Sequence, residues 1–355
     1  MDDQYTPILT EEERAARRAR RAKLRRQKQR ARRIRRLKLL LAAAALVLLL
    51  VILLLVFGKQ PETAPEPPPS VPAAESAALP EENADQPYSA AETAATVQLG
   101  DGIDSSYAVL IDLQSNTILA EKGAHTVISP ASMTKLMTLL VAAEHVTDLD
   151  DTFTMTIDIT DYCYVNGCSV VGLDIDETVS IRELLYGTIL PSGADASLGL
   201  AVYVAGSHEA FVELMNQKAE ELGIAETTHF TNCVGIYDEA HTSTVYDMAI
   251  ILKAAMDNQL CREVLRARTY ETAPTTAHPE GQILSNWFLR RIEDHVPSTF
   301  EVIGAKTGYV VQSGSCAASC GENADGGQYI CVTGDAGSSW RCIFDHVALY
   351  EEYCS

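Results

Sequence analysis

Basic residues are scarce over most of this chain. Of its 28 Lys and Arg, fifteen fall between Arg14 and Lys38; residues 61–355 hold twelve against 43 acids, a net −31. A body of that sign and size repels a phosphate backbone, which argues against nucleic acid as a partner. No Cys-x-x-Cys pair and no His-Glu-x-x-His occurs, so no spacing calls for a metal. No internal repeat is present. A hydrophobic content of 47% in 355 residues excludes a disordered or collagen-like chain and leaves room for one large core.

What the chain does contain is divided sharply along its length. Residues 1–38 form a basic segment that opens with a capping box, Thr10 to Glu13. This arm reads either as a clamp on anionic lipid head groups or as a topology signal on a solvated helix. Leu39–Phe57 is an uncharged apolar run of nineteen residues. At 1.5 Å per residue it reaches about 28 Å, close to a bilayer's hydrocarbon core. Residues 39–58 are therefore expected to be an uncleaved transmembrane signal-anchor in the cell membrane. The basic flank would stay cytoplasmic and the remainder would be extracytoplasmic. Residues 59–99, rich in Pro, Ala and Glu, read as an extended linker, and residues 100–355 as the globular domain.

All nine cysteines lie in the globular part. Their odd number leaves at least one unpaired within the chain. Cys163 and Cys168 are spaced to close a short loop, and Cys316, Cys320 and Cys331 fall in a pair of expected strands. Disulfides and plain buried thiols both remain open.

Three short patterns carry the chemistry. YAVLIDLQSNTILAE alternates as a β-hairpin, and SPASMTKLMTLLVAAEHV follows as a helix, with Ser129 placed as its cap and Pro130 at its first position. Ser132 then sits in the first turn, among backbone N–H groups that lack partners, with Lys135 three residues on and on the same face. A serine needs an adjacent base to act as a nucleophile, and a lysine serves when burial lowers its pKa. A capping box, Ser180 to Glu183, opens a helix that Pro191 ends. Ser192-Gly193-Ala194-Asp195 follows as a loop before an apolar helix at 196–206. Further helices are expected at 208–222, 244–257 and 340–353. Lys306-Thr307-Gly308 lies on a strand, where a lysine otherwise protects a sheet edge.

Ser-x-x-Lys, Ser-Gly-x and Lys-Thr-Gly stand here in the order found in penicillin-reactive serine enzymes. PASMTKLMT, LLYGTILPSGADAS, THFTNCVGIYDEAHTSTVYDMA and GAKTGY closely resemble the D-alanyl-D-alanine carboxypeptidases of the low-molecular-mass penicillin-binding proteins, over about residues 104–350. The resemblance implies an α+β penicillin-binding, β-lactamase-like transpeptidase fold, with an antiparallel sheet covered by helices and a mostly helical lobe. It implies Ser132 as the acylated nucleophile, Lys135 as general base and Ser192 as proton relay. Lys306, Thr307 and Gly308 would bind substrate, and the backbone of Tyr309, with that of Ser132, would form the oxyanion hole. It further implies a peptidoglycan stem peptide ending in D-Ala-D-Ala as substrate, β-lactams as covalent inhibitors, and no cofactor.

Two departures stand out. Ala194 occupies the place of the family's usual asparagine, and loss of one such contact costs about 1–3 kcal/mol. The anchor is expected at the N-terminus, whereas many relatives carry a C-terminal amphipathic helix. The alternatives to an active carboxypeptidase are a catalytically weakened penicillin-binding wall protein, motivated by Ala194, and a D,D-endopeptidase. Nothing here resembles the omega-loop glutamate motif usual in class A β-lactamases.

Overall fold

The computed structural model describes residues 88–354. The basic arm at 1–38, the expected span at 39–58 and the linker up to residue 87 lie outside the described residues. Among the described residues, no helix is long and apolar enough to cross a membrane.

A six-stranded sheet organises the domain. Its strands are β1 (Val97–Gln98), β2 (Tyr107–Asp112), β3 (Thr117–Lys122), β8 (Phe300–Val310), β9 (Gly314–Asn323) and β10 (Gln328–Ala336), in the order β1-β3-β2-β10-β9-β8. Side chains alternate across a strand, and here the alternation feeds two cores. Val109, Ile111, Ile330 and Val332 join the larger core on the side of the helical lobe, whereas Ala108, Leu110 and Cys331 pack on the other face with Ile343 and Tyr350. Both faces are covered, so Tyr107–Asp112 is a nearly continuous apolar run and not the alternating strand expected.

The sheet is mixed, not purely antiparallel as expected: β1 pairs with β3 in parallel. The edge strand comes from the segment assigned to the linker. Residues 88–99 add to the sheet edge through an Ala91–Thr117 bridge, and the Thr96 hydroxyl donates to the Ile118 carbonyl at 2.7 Å. The Ala90 N–H donates to the Tyr246 hydroxyl at 3.0 Å. The packed domain thus begins before residue 100. Small residues held by backbone bonds leave no apolar periodicity to read.

The helical lobe is built around α1 (Lys135–His145), which is buried along its first eight residues. Around it stand α3 (Ile181–Ile189), α4 (Ala194–Ala205), α5 (His208–Glu221), α6 (Val245–Asp257) and α7 (Gln259–Arg266). The expected capping box closes α3: the Ser180 hydroxyl accepts from the Glu183 N–H at 3.2 Å, and the Glu183 carboxylate accepts from the Ser180 N–H at 2.8 Å. Two small antiparallel strand pairs, β4 (Thr152–Thr154) with β5 (Thr178–Ser180) and β6 (Thr269–Glu271) with β7 (Ile283–Ser285), and the helices α2 (Ile157–Asn166) and α8 (Trp287–Ile292) were not anticipated. The last helix, α9 (Ser339–Tyr353), covers the outer face of the sheet.

Two buried histidines give the fold an acid limit. His346 bonds to Ser319 at 2.7 Å and Thr333 at 2.9 Å, and burial pushes its pKa down to about 3. His241 bonds to Thr134 at 2.8 Å, and burial lowers its pKa to about 4. Both pKa values fall on folding, so below pH 6.5 the unfolded chain binds more protons and stability drops as pH falls. Each histidine's contribution is on the order of 3 kcal/mol. The thermal midpoint of the wild type is expected to fall between pH 6.5 and 4, less steeply in His346→Gln. Equal slopes in the two proteins would remove His346 as a cause.

Candidate active site

The chain reaches the nucleophile's position through a tight turn. Pro130 precedes a 3-10 turn, Ala131–Thr134, and α1 begins only at Lys135. Side chains three apart eclipse in a 3-10 turn. The Lys135 Nζ accordingly stands 3.2 Å from the Ser132 Oγ. The expected cap is absent: neither the turn nor α1 has a side-chain cap bond, and the buried Ser129 hydroxyl is unpartnered. Ala131 takes a left-handed backbone at φ 48°, uncommon for alanine and costing about 1–2 kcal/mol. Ser192 shares that conformation, at φ 62°. Such strain at two facing loops is held by the packing around them.

Lys135 is buried to 2% exposure, and desolvation lowers its pKa to about 8. Besides Ser132, its Nζ donates to the Val234 carbonyl at 2.5 Å. That carbonyl is presented by a loop organised around Asn232. The Asn232 Oδ1 accepts from the N–H groups of Val234, Gly235 and Ile236 at 3.2, 2.7 and 3.2 Å. Gly235 then lies against the nucleophile's turn at φ 76°, where a Cβ would come within 1.9 Å of the Ala131 carbonyl oxygen and 2.9 Å of the Ser132 nitrogen. Asn232, Val234 and Gly235 were not among the expected site residues. They lie within THFTNCVGIYDEAHTSTVYDMA, one of the segments that carry the resemblance, but outside the three short patterns.

Lys306 is on β8, an edge strand, yet it is buried to 2% and points inward rather than guarding the edge. Its Nζ donates to the Ser192 Oγ at 2.9 Å and to the Thr307 carbonyl at 2.6 Å. Desolvation, then the charge of Lys135, hold its pKa well below the usual lysine value. A positive charge on Lys135 thus disfavours one on Lys306.

Gly308 brings β8 against the nucleophile: a Cβ there would lie 3.0 Å from the Ser132 nitrogen and 2.8 Å from the Cys316 sulfur. Ser132, Ser192, Lys306, Thr307, Gly308 and Tyr309 all line one cleft of about 620 Å³, with Lys135 beneath its floor. The structure therefore brings together every expected site residue. Trp287 and Arg291 of α8 form an unanticipated outer wall, with the guanidinium 4.9 Å from the Trp287 ring centroid. Ala194 is buried as the first residue of α4, and its N–H donates to the Ser169 carbonyl at 2.8 Å. Ala194 and Asp195 belong to the helix, not to the loop expected for them.

The arrangement supplies a hydroxyl beside a desolvated amine, and a second hydroxyl beside a second amine, around one cleft. Comparison with known proteins points to one family. The family profile described as D-alanyl-D-alanine carboxypeptidase matches residues 91–336. The chain is 36% identical over 150 residues to the D-alanyl-D-alanine carboxypeptidase DacF of Bacillus subtilis, a match covering 42% of this chain and 38% of that protein. Against the D-alanyl-D-alanine carboxypeptidase of Streptomyces sp. strain K15 the identity is 34% over 201 residues, 55% of this chain and 68% of the relative. The match thus spans well under half of the Bacillus protein. Among solved structures, the Streptomyces K15 DD-transpeptidase superposes with a TM-score of 0.64 at 28% identity, covering 71% of this chain and 98% of that one. The fold is α+β of the penicillin-binding-protein type.

Proposed function

This chain belongs to the D-alanyl-D-alanine carboxypeptidase family of serine peptidases, and from that premise we propose that it removes the terminal D-alanine from peptidoglycan stem pentapeptides through a Ser132 acyl-enzyme. One observation carries the reading: the Ser132 hydroxyl lies 3.2 Å from a lysine amine whose pKa burial has lowered to about 8.

In this mechanism the neutral Lys135 amine takes the Ser132 proton as Oγ attacks the carbonyl carbon of the penultimate D-alanine. The N–H groups of Ser132 and Tyr309 receive the developing oxyanion. The proton returns through the Ser192 hydroxyl to the leaving amine, free D-alanine departs, and water hydrolyses the ester. Lys306 and Thr307 take the substrate's terminal carboxylate. An arriving carboxylate favours the protonated form of Lys306, whose charge in turn keeps Lys135 neutral. A proton held on Lys306 in this way raises the share of Lys135 that is neutral and ready to act as base.

Ala194 does not leave the base without a guide. The Val234 carbonyl supplies an acceptor for Lys135, held by Asn232, and this favours an active enzyme over a weakened binding protein. β-Lactams would acylate the same serine. Residues 39–58 would hold the enzyme on the outer face of the cell membrane, and that placement rests on the sequence. The acyl-enzyme is common to hydrolysis and to transfer onto an amine, and the similar Streptomyces K15 protein is itself named a DD-transpeptidase.

Incubation of the full-length chain with a synthetic stem pentapeptide is expected to release free D-alanine and leave the tetrapeptide acid. A folded preparation that acylates with penicillin but releases no D-alanine would sink the carboxypeptidase reading and favour a weakened or cross-link-cutting relative.

A further inference from the structure

The end of α2 brings two thiols together beside the cleft. Gly167 takes a left-handed backbone at φ 65°. Its N–H donates to the Tyr164 carbonyl at 3.4 Å, and the Cys168 N–H donates to the Cys163 carbonyl at 3.0 Å. This is a Schellman turn, in which the third helical residue from the end and the second residue beyond the cap meet through their side chains. The contact is usually apolar. Here it joins Cys163 to Cys168, and their thiols are hydrogen-bonded to one another.

The two sulfurs differ in access and acidity. Cys163 is buried and Cys168 is half-buried. The hydrogen bond from Cys163, aided by the charge of Lys135, holds the Cys168 thiol below its ordinary pKa, and the same bond pushes Cys163 up. That is the division of labour of an attacking and a resolving thiol.

Cys168 also begins the loop that positions the second serine. The Ser169 carbonyl accepts the Ala194 N–H at 2.8 Å, and Ser169 lines the cleft. The Asp195 carboxylate accepts from the N–H groups of Val171, Gly172 and Leu173 at 2.8, 2.9 and 3.1 Å. A Cβ on Gly193 would meet the Val171 side chain at 2.6 Å. The loop from Cys168 and the Ser192–Asp195 segment are therefore tied together by four hydrogen bonds and close packing.

We propose that Cys163 and Cys168 form a thiol–disulfide couple, closed by exchange with a low-molecular-mass disulfide, and that closure slows acylation at Ser132. In the first step the Cys168 thiolate attacks one sulfur of the small disulfide; its S–S bond breaks and one thiolate leaves. Cys163 then gives up its proton and attacks the Cys168 sulfur, expelling the second small thiolate. Two protein thiols are oxidised and one small disulfide is reduced to two thiols. Closure draws Cys168 toward α2 and with it the Ser192 segment, which misplaces the proton relay.

The test uses the full-length chain treated with oxidised glutathione, then a dithiol. No Lys or Arg lies between residues 136 and 181, so both cysteines fall in one tryptic peptide. That peptide is expected to lose two hydrogens, about 2 Da, with its halves still joined after cleavage at Tyr164. The rate of labelling by a fluorescent penicillin should fall by at least about threefold, because small misplacements of a catalytic group slow reactions steeply. Both changes should reverse with the dithiol and be absent in Cys168→Ser. Persistence of both free thiols, or a glutathione adduct that stops at Cys168, would overturn the couple. A disulfide that leaves labelling unchanged or faster would overturn the coupling. The coupling rests on Ser132 as nucleophile, whereas the mass change does not, so the two failures are distinguishable.

Discussion

Replacing Lys135 with alanine is expected to slow acylation of Ser132 by a factor of about 10²–10⁴, the range spanned by a positioned general base. The amine lies within hydrogen-bond reach of the Ser132 hydroxyl, and its bond to the Val234 carbonyl fixes the direction from which it approaches. Only the neutral form accepts a proton. With the pKa lowered to about 8, roughly one site in ten is ready at pH 7, and the acylation rate should rise with pH through a midpoint near 8. In Lys135→Ala the residual rate should lose that midpoint. Stopped-flow labelling with a fluorescent β-lactam across pH 6–9 reads both effects. A variant that keeps the midpoint would assign the base elsewhere. Ser132→Ala should give no covalent label at any pH.

The second large effect is expected from Gly235→Ala, at a residue that does not line the cleft. Two costs meet there. A left-handed backbone disfavours alanine by about 1–2 kcal/mol. A methyl group would also come within 1.9 Å of the Ala131 oxygen, so the turn carrying Ser132 must move. Gly206 separates the two: its φ of 78° is nearly the same, but nothing lies within 4 Å of its Cβ position. Gly206→Ala should lower the thermal midpoint by a few degrees and leave the acylation rate unchanged. Gly235→Ala should lower the midpoint further and also cut acylation at least tenfold, measured well below the melting range. Equal acylation rates in the two variants would show that Gly235 supports the fold without positioning the nucleophile.

These two residues mark the boundary of what could be read from the chain alone. Lys135 was legible because Ser-x-x-Lys at the start of an amphipathic helix fixes a shared face before any tertiary contact exists. Ser192 and Lys306 were legible through their short motifs and their order, although neither motif says that the two side chains meet at 2.9 Å. Gly235 was not, because what makes it necessary is a carbonyl 104 positions earlier in the chain, on Ala131. The acceptor that steadies Lys135 escaped for a similar reason: it is the backbone oxygen of Val234, and any residue type carries one. The same limit explains the parallel edge strand β1, whose two residues contribute backbone pairing but little periodicity. The misplaced helix start is different in kind. Ser129 and Pro130 have the composition of a cap, but the strained Ala131 diverts the chain into a 3-10 turn and leaves the Ser129 hydroxyl unpartnered.

The burial of Ala194 shows how a motif position can change without emptying the site. Its methyl group is covered, its N–H is bound to Ser169, and the adjacent Asp195 ties down three backbone groups of the neighbouring loop. The structural duty of the segment is thus met by the backbone and by Asp195, and the Lys135 amine has an acceptor in the Val234 carbonyl.

Peptide mapping after reaction with benzylpenicillin shows whether Ser132 carries the acyl group. Trypsin cuts after Lys122 and Lys135, so Ser129 and Ser132 share the peptide 123–135 and fragmentation separates them. One penicilloyl group per chain is expected, on the Ser132 side chain, and none in Ser132→Ala. An adduct on Ser129, on Ser192 or on a lysine, or none on a folded chain, would contradict it.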